Sequence, residues 1–339
     1  MASKVFNVVA LVTFSALAVQ AFNYIIGHAQ ASGLYDKLGA HCHANVDGLI
    51  SYRLPYTGIA AIDEILCNIV AFFHVSFEPE VKPALAYLLI SAIPIVSHPF
   101  FEAHRPSSPF VLGYPVIITQ LMQILSFGAS FSVYWMVFIL SGAAQTRSGP
   151  KSTITKAQAQ AVLFGVLLGM ILLSGCLFAF QDPFVTAIWQ ISPIVVATAS
   201  FVQYTATPTT ERQTDSGYPL IRGFYLASFL LISSVHITML TTKNPEELKA
   251  LFLPSVDILP SSTSAALQAL NVLQWDGVFG LGASVLATLW FGQNVTEVLA
   301  LLVCNVLASP LVGPGAAFAA SALWRESRLH RDFKSTKTE

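Results

Sequence analysis

Residues 157–180, AQAQAVLFGVLLGMILLSGCLFAF, form a continuous apolar stretch without a single charged side chain. An α-helix rises about 1.5 Å per residue, so about 20 apolar residues are enough to cross the hydrocarbon core of a bilayer. This stretch therefore predicts a transmembrane helix. Further stretches of similar length and character occur along the chain, and together they decide the fold class.

The composition of the 339-residue chain leads to the same conclusion. Hydrophobic residues make up 54% of it, charged residues only 10%, and the mean hydropathy is +0.65, which excludes a soluble domain with an ordinary charged surface. The formal net charge of -1 leaves no basic excess for gripping nucleic acid. We therefore expect an integral, multi-pass membrane protein with membrane lipid, and no nucleic acid, among its partners.

Nine segments are apolar and long enough to be transmembrane helices of an all-α, polytopic helix bundle. They are residues 5–26, 57–77, 83–101, 110–140, 157–180, 184–205, 219–242, 265–290 and 295–323. The segment 110–140 is too long for one upright helix, so it is interpreted as a tilted or kinked helix, with two short helices meeting around Gly128 as the alternative. The count expected is nine, within a range of seven to ten.

Short polar connections and the absence of any visible internal repeat predict one compact bundle at residues 57–323. A helix with a polar loop at 1–56 precedes the bundle, and a basic, disordered tail at 324–339 follows it. The apolar run after Lys4 also fits a cleaved signal peptide, because it ends in the small-residue sequence AVQA. An uncleaved helix is favoured, since the run is nearly long enough to span a membrane.

Basic residues predict the orientation. The final segment carries Arg325, Arg328, Arg331, Lys334 and Lys337. Because Lys and Arg gather on the cytosolic side, this favours a cytosolic C-terminus and, with nine helices, a lumenal N-terminus in the endoplasmic reticulum. The basic connection at residues 141–156 falls on the opposite side and argues against that orientation.

The four cysteines, Cys42, Cys67, Cys176 and Cys304, are scattered along the chain. Three of them lie in apolar segments, where cysteine behaves as a small hydrophobe, so the sequence predicts neither a disulfide framework nor a zinc site. There is also no glycine-rich phosphate loop, no HExxH and no paired-aspartate motif for magnesium diphosphate. We expect no metal and no cofactor, and chemistry that starts from a proton.

Asp276, in the sequence LQWDG, is the most informative ionisable residue. It lies 11 residues beyond Ala265, which places it roughly 16 Å along its helix, and no neighbour in sequence can neutralise it. A carboxyl inside a membrane is a candidate functional group, and desolvation favours its protonated form. The sequence therefore predicts a proton donor, with a hydrogen bond to a neighbouring helix as the alternative role.

Glu102 lies in the sequence HPFFEAHRPSSP, close to His98, His104 and Arg105. Such a cluster can hold a carboxylate in a chosen protonation state, so we treat Glu102 and His98 as catalytic candidates. An interfacial salt bridge to Arg105 is the alternative. Asp63 is a further catalytic candidate, with helix capping as its alternative role.

With nine helices, several polar residues would lie toward one membrane face and form the mouth of a pocket with Asp276 as its floor. These are Asp63, Glu64, His98, Glu102, Asp182 and His236. The arrangement depends on the helix count, because splitting 110–140 moves Asp182, His236 and the entry to Asp276 to the other face. Asp182, before Pro183, is most simply interpreted as a helix N-cap.

Aromatic residues within the predicted helices are candidates for lining this pocket, since their π-faces stabilise a cation. Gln190 and Pro193, in WQISP, predict a kink that would open the sixth helix. The residues expected to bind substrate are Trp135, Trp189, Gln190, Tyr204, Gln274, Trp275, Phe101, Arg105 and His236.

Four sequences carry a resemblance to a known family: YTGIAAIDEILCNIVAFFH at 56–74, FFEAHRP starting at Phe100, WQ at 189–190 and LQWD at 273–276. They resemble the fungal integral-membrane terpene cyclases of the ascochlorin and ascofuranone type, over roughly residues 50–323. The resemblance implies a helical membrane enzyme of meroterpenoid or sesquiterpenoid biosynthesis. In such enzymes a carboxylic acid protonates an epoxide or alkene of a prenyl tail, and the resulting carbocation forms rings until a proton is lost.

On this resemblance we expect a hydrophobic, prenylated substrate and a water-poor pocket that protects the cation. Asp276 or Glu102 would donate the proton, and Asp63 or His98 would orient the substrate or accept the final proton. Trp189, Trp275 and Tyr204 would stabilise the cation.

Two other classes of membrane protein are weighed against an enzyme. A proton-coupled transporter also needs titratable groups along a path, but it predicts paired half-structures, and no such symmetry is visible. A receptor-like protein of seven helices is favoured if the two outer helices are additions to a core of seven.

Overall fold

A computed structural model describes residues 2–43, 51–106, 108–144, 153–208 and 215–338. These residues form helices and connections, and no strand occurs among them, which confirms the predicted all-α fold class. In chain order the helices are α1 (Ala2–Phe22), α2 (His28–Ala31), α3 (Leu34–Ala40), α4 (Ala60–Ser76), α5 (Lys82–Ala103), α6 (Pro115–Ile124), α7 (Phe127–Leu140), α8 (Lys156–Val166), α9 (Leu173–Phe180), α10 (Pro183–Trp189), α11 (Ser192–Ala206), α12 (Tyr218–Thr242), α13 (Pro245–Phe252), α14 (Ala265–Ala287), α15 (Val295–Val312) and α16 (Pro314–Thr338).

Six continuous helical runs in the described part of the chain are apolar and long enough to cross a membrane. They are Lys4–Ala31, Lys82–Ala103, Lys156–Phe180, Tyr218–Thr242, Ala265–Phe291 and Val295–Val312. Two of the runs continue through π-helical turns, at Asn23–Gly27 between α1 and α2 and at Leu167–Leu172 between α8 and α9. The predicted membrane bundle is present, but the predicted count of nine is not confirmed.

The predicted segment 110–140 is two short helices, as the alternative interpretation held. Its break lies at Leu125 and Ser126, between α6 and α7. Ser126 has an extended backbone, and its side chain accepts a hydrogen bond from the N–H of Ala129 at 2.9 Å, so it caps α7. Neither short helix reaches the length of an upright crossing.

A second break separates α10 from α11, which meet at an angle of 60° and form either one broken span or a re-entrant loop. The break lies at Gln190 and Ile191, beside Pro193, where the sequence predicted a kink. Asp182 is the predicted N-cap of α10: one carboxylate oxygen accepts the N–H groups of Phe184 and Val185 at 2.9 and 3.1 Å.

The two ends of α14 contact different parts of the chain, and these contacts distinguish the two ends of the bundle. Near its start, the amide of Gln268 donates to the carbonyl of Ser32 at 2.8 Å. Immediately after its end, Arg328 of α16 donates to the carbonyl of Phe291. We call these the α3 end and the α16 end of the bundle.

The N-terminal helix starts at the α16 end. The indole N–H of Trp290, which follows α14, donates to the carbonyl of Phe6 at 3.4 Å. The start of α1 and Arg328 of α16 therefore lie at the same end. An odd number of crossings was expected to place the two termini on opposite sides, and the sides on which they lie stay a prediction.

The segment predicted to be a disordered tail from residue 324 begins inside a helix. Helix α16 continues through that boundary to Thr338, and Arg325 and Glu326 are buried, 2% and 5% exposed. The packed bundle thus extends beyond residue 323. Arg325 and Arg328 form ion pairs with Glu102 and Glu297, so these basic residues lie in the protein rather than in solvent.

A disulfide joins Cys42 to Cys67, although the sequence indicated no disulfide framework. Cys42 follows the end of α3, and Cys67 lies on the face of α4 that packs there, with 5.9 Å between the two Cα atoms. The proximity arises from the packing of α3 on α4, which spacing in the sequence does not reveal. Cys176 and Cys304 are free.

We predict that replacing both disulfide cysteines, Cys42→Ser with Cys67→Ser, destabilises the protein by about 3 kcal/mol, because the bond restrains the unfolded chain across a separation of 25 residues. Thermal unfolding of purified protein in detergent measures the loss. Cys304→Ser, at an exposed free cysteine, is the matched control and should unfold like the parent protein. An unchanged midpoint in the double variant would show that this bond contributes nothing.

Candidate active-site chamber

A chamber of about 600 Å³ lies inside the bundle. Its wall is built from α3, α4, α5, α9 and α14, with contributions from the breaks between α6 and α7 and between α10 and α11. The wall is mostly aliphatic and aromatic, and its aromatic members include Phe72, Phe73, Phe100, Phe178 and Trp189. Volume and lining are those of a site for an apolar small molecule that is oriented by a few polar groups.

Asp276 of α14 lies in this wall, at the point where α7 begins. Its Oδ1 accepts the N–H of Gly128 at 2.7 Å, and its Oδ2 accepts the N–H of Phe127 at 3.3 Å. The first N–H groups of a helix have no partner within the helix and carry its positive dipole end, so a carboxylate is stabilised there. The structure thus holds Asp276 by the hydrogen bonds to a neighbouring helix that the alternative interpretation foresaw.

Close packing at this junction requires a glycine. A Cβ atom at Gly128 would meet the Cβ of Phe279 at 2.7 Å and the Oδ1 of Asp276 at 3.3 Å. The lack of a side chain lets the two helices approach closely enough for the backbone of α7 to reach the carboxylate. The same approach fixes the orientation of the carboxylate relative to the chamber.

Several other polar groups of the wall lie at or near the second helix break, while Asn68 lies on α4. The amide of Gln123, on α6, donates to the hydroxyl of Ser192 at 3.0 Å. The indole N–H of Trp189 donates to the hydroxyl of Ser174 at 3.0 Å. All four residues line the chamber. At the α3 end the wall includes Tyr35, and partial burial raises the pKa of its phenol.

Of the residues predicted to form the site, Asp276 and Trp189 line the chamber and the others do not. Trp275 and Gln274 are next to Asp276 in sequence but point elsewhere. The indole N–H of Trp275 donates to the carbonyl of Ser255 at 2.9 Å. The side-chain amide of Gln274 donates to the carbonyl of Ala250 at 2.6 Å.

Glu102 lies at the α16 end of the bundle, in a buried network of charges. Its Oε1 accepts from Arg105 at 2.7 Å and from Arg325 at 2.7 Å. Arg105 also forms an ion pair with Glu326. The salt bridge to Arg105 was the alternative interpretation of Glu102, and Arg325 extends it to α16. The structure therefore does not place Glu102 at the mouth of the pocket that contains Asp276.

His98 and Trp135 belong to the packed aromatic core beside this network. His98 is 1% exposed, and its Nδ1 is 3.0 Å from the hydroxyl of Tyr134. Its Nε2 is 3.9 Å from the Oε1 of Glu102, beyond a hydrogen bond. The indole N–H of Trp135 donates to Ser284 at 2.9 Å.

The remaining predicted site residues are placed as follows. The ring nitrogens of His236 lie 2.8 Å from the hydroxyl of Tyr87 and 3.1 Å from the carbonyl oxygen of Pro310. The ring of Phe101 packs on Phe224 and Tyr225. Gln190 is buried at the bend after α10, and Tyr204 is half-buried on α11. Asp63 is near the start of α4, where it accepts hydrogen bonds from the backbone N–H groups of Thr57 and Gly58 at 2.7 and 3.1 Å.

Asp63 therefore fixes the chain that precedes α4 but does not cap this helix, because its donors lie before the helix and the N-cap Ile59 makes no side-chain hydrogen bond. Sequence reasoning missed the polar wall residues Asn68, Gln123, Ser126, Ser174 and Ser192. A signal for them exists, because each interrupts an apolar run, but a single polar residue in such a run predicts no particular neighbour. No group of three His, Cys, Asp or Glu residues suited to a metal ion occurs among the residues that the structure describes.

A family model, the CtvD domain, matches residues 7–329 of this chain. The chain belongs to the CtvD domain family. This is a terpene cyclase-like family, and its match covers every helix that borders the chamber. A search of the curated proteins found no significant match, and a search of the solved structures found none either.

We predict that Glu102→Gln in this CtvD-family protein destabilises the fold by about 3–5 kcal/mol, because it leaves Arg105 and Arg325 buried without their shared anion. Thermal unfolding in detergent, compared with the parent protein, measures the effect. Glu297→Gln is the matched control: its ion pair with Arg328 is at the same end but 29% exposed at the carboxylate, so its loss should cost less. Equal stability of Glu102→Gln and the parent protein would contradict a structural role for the network.

Proposed function

We propose that this protein is a membrane-bound terpene cyclase that folds a prenyl or epoxy-prenyl chain inside the chamber and starts its cyclisation by proton donation from Asp276. The observation that carries the proposal is the position of Asp276 in an aromatic and aliphatic wall. Among the described wall residues no second carboxylate is present. The terpene cyclase-like family supports the same reaction class.

The hydrogen bonds of Asp276 suit a proton donor. In the protonated acid, one oxygen carries the proton and can direct it toward the chamber, while the N–H groups of Phe127 and Gly128 remain in reach. When the proton leaves, the same two N–H groups and the helix dipole stabilise the carboxylate that remains. Stabilisation that increases as charge develops lowers the barrier of the transfer.

The reaction balances without a co-reactant. The proton of Asp276 adds to an alkene carbon or an epoxide oxygen of the prenyl chain, and the electron pair of the next double bond closes a ring and moves the positive charge along the chain. Loss of a proton from the final cation to the carboxylate restores Asp276, so the net reaction is an isomerisation. The rings of Phe73 and Trp189 lie in the wall, with their centroids 5.0 Å apart. Aromatic rings at this position can stabilise the cation.

The proposal gives no donor role to Glu102, His98 or Asp63. None of them lines the chamber, and the carboxylate of Glu102 is neutralised by Arg105 and Arg325. Relation to the cyclases of the ascochlorin type, with a meroterpenoid or sesquiterpenoid substrate, is part of the proposal and rests on the sequence resemblance.

We infer an endoplasmic reticulum location with a cytosolic C-terminus. Disulfides persist in oxidising compartments, and the bond between Cys42 and Cys67 lies at the α3 end. The exposed residues Lys4 of α1 and Arg331 of α16 lie near the opposite end, which suits the cytosolic side. Both features support the same orientation.

We predict that Asp276→Asn lowers cyclisation of an epoxy-prenyl substrate by about 100-fold or more, the usual contribution of a general acid, because the amide cannot donate the required proton. Product formation by membranes of a fungal expression host measures the rate. Asp257→Asn is the matched control, since Asp257 is exposed and outside the chamber. Full activity of Asp276→Asn at normal protein abundance would rule out the assigned donor.

We predict that Gly175→Leu reduces turnover of long prenyl chains more than that of short ones, because Gly175 lines the chamber and an added Cβ atom meets nothing within 4 Å. The larger side chain therefore occupies chamber volume without a clash at its base. Gly223→Leu, on α12, meets equally open space outside the chamber and is the matched control. A product profile that is identical for the two variants would contradict substrate binding in this chamber.

A further inference from the structure

A second cavity, of about 360 Å³, lies on the outside of the bundle between α1, α6 and α7. We call it the α1–α6–α7 groove. Much of its lining is apolar and exposed, as at Val19, 58%, and Leu121, 38%, which is the character of a surface facing lipid. It is formed by helices that also border the break at Leu125 and Ser126.

Leu125 lines both the groove and the chamber. It is the residue between α6 and α7, outside either helix, and 46% of its surface is exposed. Next to it, Ser126 lines the chamber and caps the helix whose first N–H groups bind Asp276. The lipid-facing groove and the part of the chamber that holds the carboxyl therefore adjoin at Leu125.

The groove also contains two polar side chains that an ordinary lipid-facing surface lacks. Ser130 is 4% exposed, and its buried hydroxyl has no hydrogen-bond partner. Asn23 is exposed inside the membrane-spanning run Lys4–Ala31, at the start of a π-helical turn. A polar group without a partner in an apolar surrounding is costly, and a ligand oxygen can supply the missing hydrogen bond.

We propose that the α1–α6–α7 groove is the entrance through which a membrane-dissolved substrate reaches the chamber, with Leu125 as its gate. This inference rests on the proposed function and adds the substrate class: an apolar chain that carries a hydrogen-bonding oxygen. The chain lies along the apolar groove, and its oxygen passes from Asn23 and Ser130 to Ser126 and Asp276.

The chamber reaches the outer surface at another place, beside Ile171 and Leu231, which are 46% and 50% exposed. Among the bordering residues there, Gly175 and Ile90 carry no hydrogen-bonding side chain, and the hydroxyl of Ser174 already accepts the indole N–H of Trp189. An oxygen on that route meets only a hydroxyl that already has a hydrogen-bond partner, whereas the groove offers the hydroxyl of Ser130, which has none. The polar side chains favour the route past Leu125.

Photolabelling tests the entrance without requiring turnover. The probe is a farnesol analogue that carries a diazirine, added to the full-length protein in lipid nanodiscs, and labelled peptides are identified by mass spectrometry. In the parent protein we expect labels in the groove, on α6 and α7, and in the chamber, on α9. Helix α15, whose span is 11% buried and faces lipid, gives the background from ordinary lipid contact.

Leu125→Trp should lower the labelling of α9 to the background level measured on α15, because the larger side chain closes the gate. The groove should remain labelled. Ile117→Trp, at a position on α6 that is 60% exposed and outside the groove, is the matched control and should keep both labels. Loss of the α9 label in Leu231→Trp but not in Leu125→Trp would overturn the proposal. A groove label no stronger than that of α15 would also overturn it.

A cysteine at the gate keeps the test valid should Leu125→Trp fold poorly. The Leu125→Cys variant also carries Cys176→Ser and Cys304→Ser, so that the thiol at position 125 is the one that reacts. After the protein has folded, a bulky maleimide is attached to this thiol to block the gate. The closed protein should lose the α9 label and the uncapped protein should retain it; equal labelling of both contradicts the gate. Because labelling does not depend on proton donation, an error in the role of Asp276 changes product formation and leaves these labels in place.

Discussion

The hydrogen bonds between Asp276 and the first residues of α7 are the interaction on which the site depends. A helix that begins within the membrane exposes N–H groups that lipid cannot satisfy, so a break at Leu125 and Ser126 requires an acceptor from elsewhere in the protein. Asp276 supplies it, with distances of 2.7 and 3.3 Å. The same contact fixes a carboxyl in the chamber wall, so the broken helix and the candidate proton donor are consequences of one arrangement.

Buried charge is used differently at the α16 end. Glu102, Arg105, Arg325 and Glu326 neutralise one another away from the chamber. Such a network is costly to break, and it ties α16 to the end of α5. Within the described residues, Glu102 and Asp276 are thus carboxylates in settings of opposite character. One is balanced by guanidinium groups and serves packing, whereas the other is held by backbone N–H groups beside a cavity.

Local rules predicted the features that depend on neighbours in sequence. They predicted the fold class, the Asp182 cap and the kink beside Pro193, and they gave the salt bridge between Glu102 and Arg105, three residues apart, as the alternative to a catalytic role. They could not predict Arg325 as the partner of Glu102, since the two are 223 residues apart in the chain and meet only through packing. The disulfide and the donors to Asp276 were missed for the same reason, because each joins separate helices whose relative placement no periodicity encodes.

A cryo-electron microscopy structure with an unreactive aza-prenyl analogue, whose ammonium group mimics the carbocation, tests the central claim most directly. The account predicts ligand density along the chamber, with the ammonium group near the carboxylate of Asp276 and close to the faces of Phe73 and Trp189. Density beside Glu102 and His98, or an analogue bound only on the outer surface with the chamber filled by side chains, would contradict it.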